Sequence, residues 1–454
     1  MNDINSFTLP QQDLVHHYGL QKNKIKVDGF KFNLLCILFA LATNGFGDTI
    51  FGINLGSNVT TIFIYIALLF QLITSNLRFP KILLTIFLYI ILQTFVINYS
   101  TISFISSLKQ FIGIVLFSIS IFSFISVYRY RIVDIVRGYY TFTFILAIIA
   151  IIQLILFLLF GISIIPQNFI SGSFTTGGVN EFNPEILDIF PRAISLSTEP
   201  AHYAILILPG VYLAILVLID RGSEFGVQSK KGAWTILIGF ILSFSLVGYF
   251  GLILCVISIF GGKLKGNFFI KGLLTLVFVG AFYFISQTNL SSKITSLPKM
   301  LSGINEYEYT SSDLTGFALV SNILVAKEGL LKSKYLGTGL NTHSETYTTS
   351  IYNQFSVSQV ILELNKDDAG SLFIRLVSEF GIPGITCFII FLFYYRLGNK
   401  TSNSVLKTIN SLSLIILISY SARNGSYLSI NFILFFAIYY YTYILVEIDS
   451  HLFK

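Results

Sequence analysis

Residues 139–163 read YYTFTFILAIIAIIQLILFLLFGIS, an apolar run that contains no charged residue. A run of this length suffices for one helix through the hydrocarbon core of a bilayer, which takes about 20 apolar residues. The whole chain has the same character, because 54% of its 454 residues are hydrophobic and 11% are charged, with a mean hydropathy of +0.77. The composition therefore predicts an all-α, polytopic transmembrane helix bundle and excludes an ordinary soluble domain.

Apolar runs of helical length recur along the chain and predict twelve spans. The candidate spans are 30–47, 58–75, 81–98, 109–128, 139–163, 201–219, 233–248, 249–262, 268–286, 376–395, 407–422 and 426–446. The stretch 233–262 leaves two alternatives open: two short helices that turn near Gly248 and Gly251, or a single long tilted helix.

Charge in the short connections predicts the orientation. If the N-terminus is cytoplasmic, five inner connections hold fourteen Lys and Arg residues and only three acidic ones. This excess is typical of cytoplasmic loops. The polar N-terminal segment lacks the features of a cleaved signal peptide, so both termini are expected in the cytoplasm.

The remaining non-apolar segments give the domain organisation, with two long loops on the outer face. We expect a cytoplasmic tail, nine helices that include an outer loop at 164–200, a large outer loop, three helices and a second cytoplasmic tail. The corresponding ranges are 1–29, 30–286, 287–375, 376–446 and 447–454. Within the large loop, LTGFALVSNILVAKEGLLKS at 314–333 has helical spacing and predicts a helix that lies on the bundle.

Cysteine usage and net charge exclude several classes of site. Cys36, Cys255 and Cys387 are isolated within apolar runs, so neither a disulfide framework nor a zinc site is indicated. The net charge of +7 comes without a basic cluster interleaved with aromatic residues, so nucleic acid is not an expected partner. We expect no metal and no cofactor.

Charged and titratable side chains on the predicted outer side are the candidates for chemistry. Charge at a membrane boundary is costly unless it is paired or faces water. Arginines on this side also run against the positive-inside bias, and a guanidinium is the side chain that best matches a pyrophosphate. The candidates are Lys109, Arg192, Glu199, His202, His343, Arg375 and Arg423.

Each candidate arginine also has a structural explanation. Arg423 could extend to the lipid headgroups. Arg192 could pair with Asp188 one turn earlier, and Arg375 could pair with Glu379 at the i,i+4 spacing of a helix.

The other candidates have structural explanations too. Glu199 followed by Pro200 is a favourable start for a helix, because proline suits the first helical position and a carboxylate favours the positive helix end. His202 could hydrogen-bond a neighbour, His343 could be a surface-loop histidine, and Lys109 could be an interface anchor.

Four stretches resemble one known family. They are PRAISLSTEPAHYA at 191–204, ILSFSLVGYFGLIL at 241–254, the segment 312–340 with its KYLGTGL ending, and SLFIRLVSEFGIPGI at 371–385. Their content and order are similar to the O-antigen polymerase and O-antigen ligase superfamily of bacterial inner membranes, in particular the Wzy-type repeat-unit polymerases. Ligases of the superfamily have a His-Asn pair where this chain has Gly370 and Ser371, which favours a polymerase.

The resemblance implies a metal-independent membrane glycosyltransferase that joins oligosaccharide repeat units into a surface polysaccharide, O-antigen or capsule, on the periplasmic face. Undecaprenyl-pyrophosphate-linked oligosaccharide would be both donor and acceptor. Membrane lipids and a chain-length regulator are further expected partners.

Physical roles for the candidates agree with this activity. Arg192, Arg375 and Arg423 would converge on the pyrophosphate and stabilise its charge as the glycosidic bond breaks. Glu199 or His343 would accept the proton of the acceptor hydroxyl. Supporting roles are left for the remaining two candidates, His202 and Lys109.

Other functions remain open from the sequence. They are an O-antigen ligase that transfers the glycan to lipid A core, a non-enzymatic flippase or transporter of lipid-linked oligosaccharide, a Gram-positive capsule polymerase and a eukaryotic membrane protein. A flippase would be expected to show an internal repeat and charges buried in the middle of helices, and the sequence indicates neither.

The orientation is testable by labelling single cysteines in whole cells. In a variant without the three native cysteines, Glu345→Cys should react with a membrane-impermeant thiol reagent, because 287–368 is predicted to face the periplasm. Ser402→Cys, in a predicted cytoplasmic connection, should react only after the inner membrane is breached. The reverse pattern would overturn the topology.

Overall fold

The computed structural model describes residues 24–43, 55–74, 77–98, 103–161, 193–197, 199–260, 314–351, 365–398 and 400–452. All regular structure in these ranges is helical, without a strand, which confirms the predicted all-α class. The thirteen α-helices are α1 Lys24–Thr43, α2 Leu55–Thr74, α3 Lys81–Ile91, α4 Phe104–Val127, α5 Ile132–Phe160, α6 Pro200–Leu218, α7 Lys230–Ile241, α8 Leu246–Phe260, α9 Leu314–Lys332, α10 His343–Ile351, α11 Leu372–Tyr394, α12 Ser404–Arg423 and α13 Ile430–Leu452.

Six of the described helices are long and apolar enough to cross a membrane: α4, α5, α6, α11, α12 and α13. Four shorter apolar helices, α1, α2, α3 and α8, accompany them. Many large apolar side chains are exposed, such as Ile73, Leu159 and Phe393, as is typical of surfaces that face lipid. The count of twelve spans stays a prediction, and its candidate at 268–286 lies outside the described residues.

Several helices begin earlier than their apolar runs. α4 begins at Phe104 rather than at position 109, and α11 begins at Leu372 rather than at 376. α5 begins at Ile132, so its first turns contain Asp134 and Arg137, which form an ion pair of 3.4 Å. Hydropathy alone misses such turns, because paired polar side chains are compatible with a helix end.

The ambiguous stretch 233–262 forms two helices, α7 and α8, separated by residues 242–245. The predicted turn near Gly248 and Gly251 is therefore wrong in position, since both glycines lie inside α8. A β-carbon at either glycine would press on a side chain of α6, Ala204 or Leu208. These glycines allow two helices to approach closely and do not turn the chain.

Helix α6 lies at the centre of the described bundle. All of residues 203–217 are buried, and the helix packs against α5, α7, α8 and α12. A helix that is apolar all round is expected in such a position. Because α6 cannot shift without disturbing four neighbours, its N-terminal end provides a fixed base for the side chains there.

Helix α11 breaks at Gly381, which has φ 64° and ψ −159°, two residues before Pro383. A break of this kind frees backbone groups, and a proline removes a further donor. The turn after α9 satisfies them: Thr338 N donates to Ser378 O at 3.1 Å, and Gly339 N donates to Glu379 O at 2.9 Å. The break is thus closed by backbone pairing with a separate segment.

Two glycines make this pairing possible. A β-carbon on Gly381 would overlap the backbone of residues 335–337, and one on Gly337, which has φ 88°, would overlap the backbone of residues 379–381. Both positions need a residue without a side chain, for space as well as for conformation. The KYLGTGL and SEFGIPGI stretches, which the resemblance had singled out separately, are therefore in direct contact.

A π-helical turn, Leu92–Ile97, continues α3 and completes the closure. It carries the buried Gln93, whose amide donates to Glu379 O at 2.7 Å and to Leu336 O at 3.2 Å. Its neighbour Thr94 accepts a hydrogen bond from Leu340 N at 3.1 Å. π-Helical turns are often found at functional sites, and here Gln93 reaches the broken helix while Thr94 reaches the turn after α9.

Gln93→Leu tests the closure. The change keeps the approximate shape but removes the amide donor from Leu336 O and leaves Glu379 O with the Gly339 N–H alone, so the free energy of unfolding should fall by about 1–3 kcal/mol. Thr85→Val, on the exposed face of the same helix, should change it by less than about 0.5 kcal/mol. Thermal unfolding of the detergent-purified protein measures both, and equal midpoints would contradict the proposed role of Gln93.

Candidate functional site

Glu199 and Arg423 form an ion pair, with Arg423 Nη2 donating to Glu199 Oε2 at 2.9 Å. Glu199 is the N-cap residue of α6 with Pro200 at the first helical position, as predicted, but its side chain makes no capping hydrogen bond. Arg423 ends α12. The two side chains are 45% and 23% exposed, so the pair is accessible to a ligand.

Hydrogen bonds to α5 hold the segment before Glu199, residues 193–197, in place. Ser195 has φ 51°, and its backbone N–H and C=O both pair with the amide of Gln153 at 2.8 Å. Its hydroxyl donates to Leu146 O at 2.9 Å. Ala193 N donates to Leu242 O at 2.9 Å, which joins the first stretch of the resemblance to the second.

His202 follows Glu199 by one turn and lines a cavity of about 230 Å³. It interacts electrostatically with Glu199, Arg423 and Asp368. Asp368, which was not among the predicted site residues, lines the same cavity. One imidazole, two carboxylates and one guanidinium therefore meet at the N-terminal end of α6.

The turn that follows Arg423 packs tightly on the segment before α11. A β-carbon at Gly425 would overlap the carbonyl oxygen of Asp368, so only glycine allows this approach. Asp368 Oδ1 in turn accepts a hydrogen bond from Gly370 N at 2.9 Å. Arg423 and Asp368 are thus placed by one backbone contact between distant segments.

Arg375 is buried, and its guanidinium donates to acceptors of the protein. Nε donates to Glu379 Oε1 at 3.0 Å and Nη1 donates to Gly425 O at 3.1 Å. Nη2 lies 3.3 Å from Gln110 Oε1 and 3.4 Å from Asn341 Oδ1. The i,i+4 pairing with Glu379 is therefore confirmed, and in this conformation the guanidinium is engaged inside the protein.

His343 is fully buried at the start of α10, so it is not a surface-loop histidine. Asn322 Nδ2 donates to Ala318 O, which leaves Asn322 Oδ1 to accept from His343 Nε2 at 2.7 Å. Burial, with a smaller contribution from the Arg375 charge, lowers the pKa of the imidazole to about 3. His343 is therefore neutral at pH 7 and a weak proton acceptor.

The structure thus brings some predicted site residues together and separates others. Glu199, His202 and Arg423 share one site. Arg375 contacts the same turn from the protein interior, whereas Lys109 is exposed on α4. Arg192 and its alternative partner at 188 lie outside the described residues, so the predicted convergence of three arginines stays a prediction.

Sequence reasoning missed the polar residues that support the site. Gln93 and Gln153 are amides inside apolar runs, and a polar side chain in such a run usually has a specific partner. That signal was present in the sequence. Asp368 and Asn341 lie in the large loop, and the local sequence contains no comparable signal for them, because their partners are distant in sequence.

Among the described residues, no group of three or more His, Cys, Asp or Glu side chains is placed to hold a metal ion. Comparison with family models and with curated proteins finds no match for this chain.

The different environments of Arg375 and Arg423 predict that their substitution has different effects on stability. Arg375→Met leaves the Glu379 carboxylate buried without its counter-charge, which should cost about 3–5 kcal/mol. The double variant Arg375→Met/Glu379→Leu should recover most of this loss, because both charges are gone. Arg423→Met breaks a partly exposed pair and should cost only about 0–1 kcal/mol.

Thermal unfolding in detergent, with abundance in the membrane fraction as a second readout, separates these outcomes. Equal stability of the Arg375→Met and Arg423→Met proteins would contradict the assignment of Arg375 to the interior network.

Proposed function

We propose that this protein is a bacterial inner-membrane glycosyltransferase that polymerises polyprenyl-pyrophosphate-linked oligosaccharide repeat units into a surface polysaccharide. The single observation that carries the proposal is the accessible Arg423–Glu199 pair beside His202. A guanidinium next to a carboxylate matches a reaction that needs a pyrophosphate ligand and a proton acceptor in one place.

The reaction can be written with these groups. The acceptor hydroxyl attacks the anomeric carbon of the donor, a new glycosidic C–O bond forms, and the C–O bond to the pyrophosphate breaks. Glu199 accepts the hydroxyl proton, and the leaving lipid pyrophosphate keeps the bond electrons. Arg423 stabilises the charge that develops on it.

The ion pair suggests an order of events. Without donor, Arg423 neutralises Glu199. When a pyrophosphate binds the guanidinium, the carboxylate loses this partner and becomes free to accept a proton. The same two residues would in this way couple donor binding to activation of the acceptor.

The remaining candidate residues have different roles in the proposed reaction. His343 is the second candidate base, but its burial and its low pKa favour Glu199. Arg375 is engaged with Glu379 and Gly425, so it contributes by fixing the turn next to Arg423. Arg192 retains its proposed place as a second pyrophosphate ligand.

One observation favours a transporter of lipid-linked oligosaccharide as the second candidate. Helix α11 is long and apolar enough to span a membrane, and it contains both a backbone break at Gly381 and a buried Arg375–Glu379 pair. Broken helices and buried charges are common at transporter binding sites. A transporter would move the substrate without forming a bond.

Two substitutions test the polymerase proposal. Glu199→Gln keeps the shape but cannot accept a proton, and Arg423→Lys keeps the charge but loses the planar fork that grips two phosphate oxygens. Each should lower polymer formation by about 100-fold or more, as expected for loss of a general base or of an electrostatic stabiliser. The measurement is polymer length from purified lipid-linked repeat units in vesicles.

The chain offers a matched control in a second partly buried pair, Arg221–Glu224, at 3.0 Å. Arg221→Lys and Glu224→Gln should leave the polymer ladder unchanged at equal abundance. Wild-type ladders from Glu199→Gln would make Glu199 structural. Translocation of the repeat unit by wild-type protein without any polymer would favour the transporter, and transfer only to lipid A core would favour a ligase.

A further inference from the structure

The cavity beside His202 has an unusual lining for the interior of an apolar bundle. Eight of the eleven described residues that line it are polar, among them Ser197, His202, Asp368, Asn424 and Asn431. Polar groups buried in such a bundle cost free energy unless they are hydrogen-bonded. A cluster of them around an open volume therefore points to a polar occupant.

Two of these side chains have hydrogen-bonding capacity that the described residues do not use. Asn431 is 5% exposed, and one polar atom of its amide lies 2.9 Å from the Tyr139 hydroxyl. The other polar atom has no partner among the described residues. The hydroxyl of Ser197, a residue that is 4% exposed, also lacks a protein partner in this part of the chain. Both residues line the cavity.

The charge of the lining decides the class of ligand. None of the described residues that line the cavity is Lys or Arg, and Asp368 contributes a carboxylate. A phosphate would therefore be repelled, and a lipid chain would leave the amides and hydroxyls without partners. An uncharged ligand rich in hydroxyl groups can both donate to and accept from these side chains.

The volume of the cavity and its position next to the ion pair restrict the class of ligand further. A volume of about 230 Å³ is below the roughly 300–1,000 Å³ of sites for drug-sized ligands, which suits one small ring. The cavity adjoins the ion pair, because Asn424 follows Arg423 and His202 lies one turn after Glu199. A ring held here would lie next to the reacting groups.

We infer that this cavity is a sugar subsite, which holds one uncharged monosaccharide ring of the lipid-linked repeat unit while its pyrophosphate lies outside at Arg423. The inference rests on the proposed function for the identity of the substrate. Asn431 and Ser197 are specificity-determining residues of the subsite. They select a hydroxylated ring through hydrogen bonds that close only when the ring is bound.

Binding of two separate probes to the detergent-purified full-length protein tests the inference. The first is a panel of uncharged methyl glycosides of common hexoses, deoxyhexoses and N-acetylhexosamines, titrated by saturation-transfer difference NMR. The second is farnesyl pyrophosphate, which carries the pyrophosphate but no sugar. At least one glycoside should bind the wild-type protein.

Asn431→Leu and Ser197→Ala should each raise the dissociation constant of that glycoside by about tenfold, as expected for one lost buried hydrogen bond. Both variants should bind farnesyl pyrophosphate as the wild type does. Thr442→Val is the matched control, because it removes a buried hydroxyl of the same helix, α13, away from the cavity. It should bind both probes normally.

Each other outcome is decisive. Failure of every glycoside to bind, or undiminished binding by both cavity variants, would overturn the subsite. Parallel loss of both probes in both variants would assign the two residues to folding and overturn it as well. In a further outcome, the glycoside shows the expected binding and the expected loss in the variants, but farnesyl pyrophosphate does not bind the wild-type protein. That result would support the sugar subsite and contradict the proposed polymerase.

Discussion

The buried guanidinium of Arg375 is the interaction on which the candidate site depends. An interior charge is tolerated only when it is paired and its donors are satisfied. Here the partners come from four segments: Glu379 on the same helix, Gln110 on α4, Asn341 after α9 and the Gly425 carbonyl after α12. Satisfying one cation thus fixes the relative positions of these segments, including the turn next to Arg423.

A second constraint acts on the same region, because the break in α11 exposes backbone groups that must find partners within the protein. The turn after α9 and the amide of Gln93 supply them. The close approach of Gly337 and Gly381 then brings Asn341 within reach of Arg375. The break and the buried ion pair are therefore parts of one arrangement, and together they hold the accessible Arg423–Glu199 pair on a rigid base.

Some of this arrangement was predictable from local sequence. The i,i+4 spacing of Arg375 and Glu379 identified a real ion pair, and the Glu199-Pro200 step identified the start of α6. Both depend only on the geometry of a single helix. The helix boundaries were less accurate, because hydropathy cannot show where paired polar residues continue a helix, as Asp134 does at the start of α5.

The sequence by itself determined the all-helical class, the apolar helices and the residue types available for chemistry, because these follow from composition and from periodicity along one segment. Tertiary structure alone decided which of those residues meet. Glu199 and Arg423 are 224 positions apart, and Asp368 reaches the same cavity from a loop. Such pairings depend on how whole helices pack and on where a glycine lets two backbones touch. Neither can be predicted from the spacing of residues within one segment.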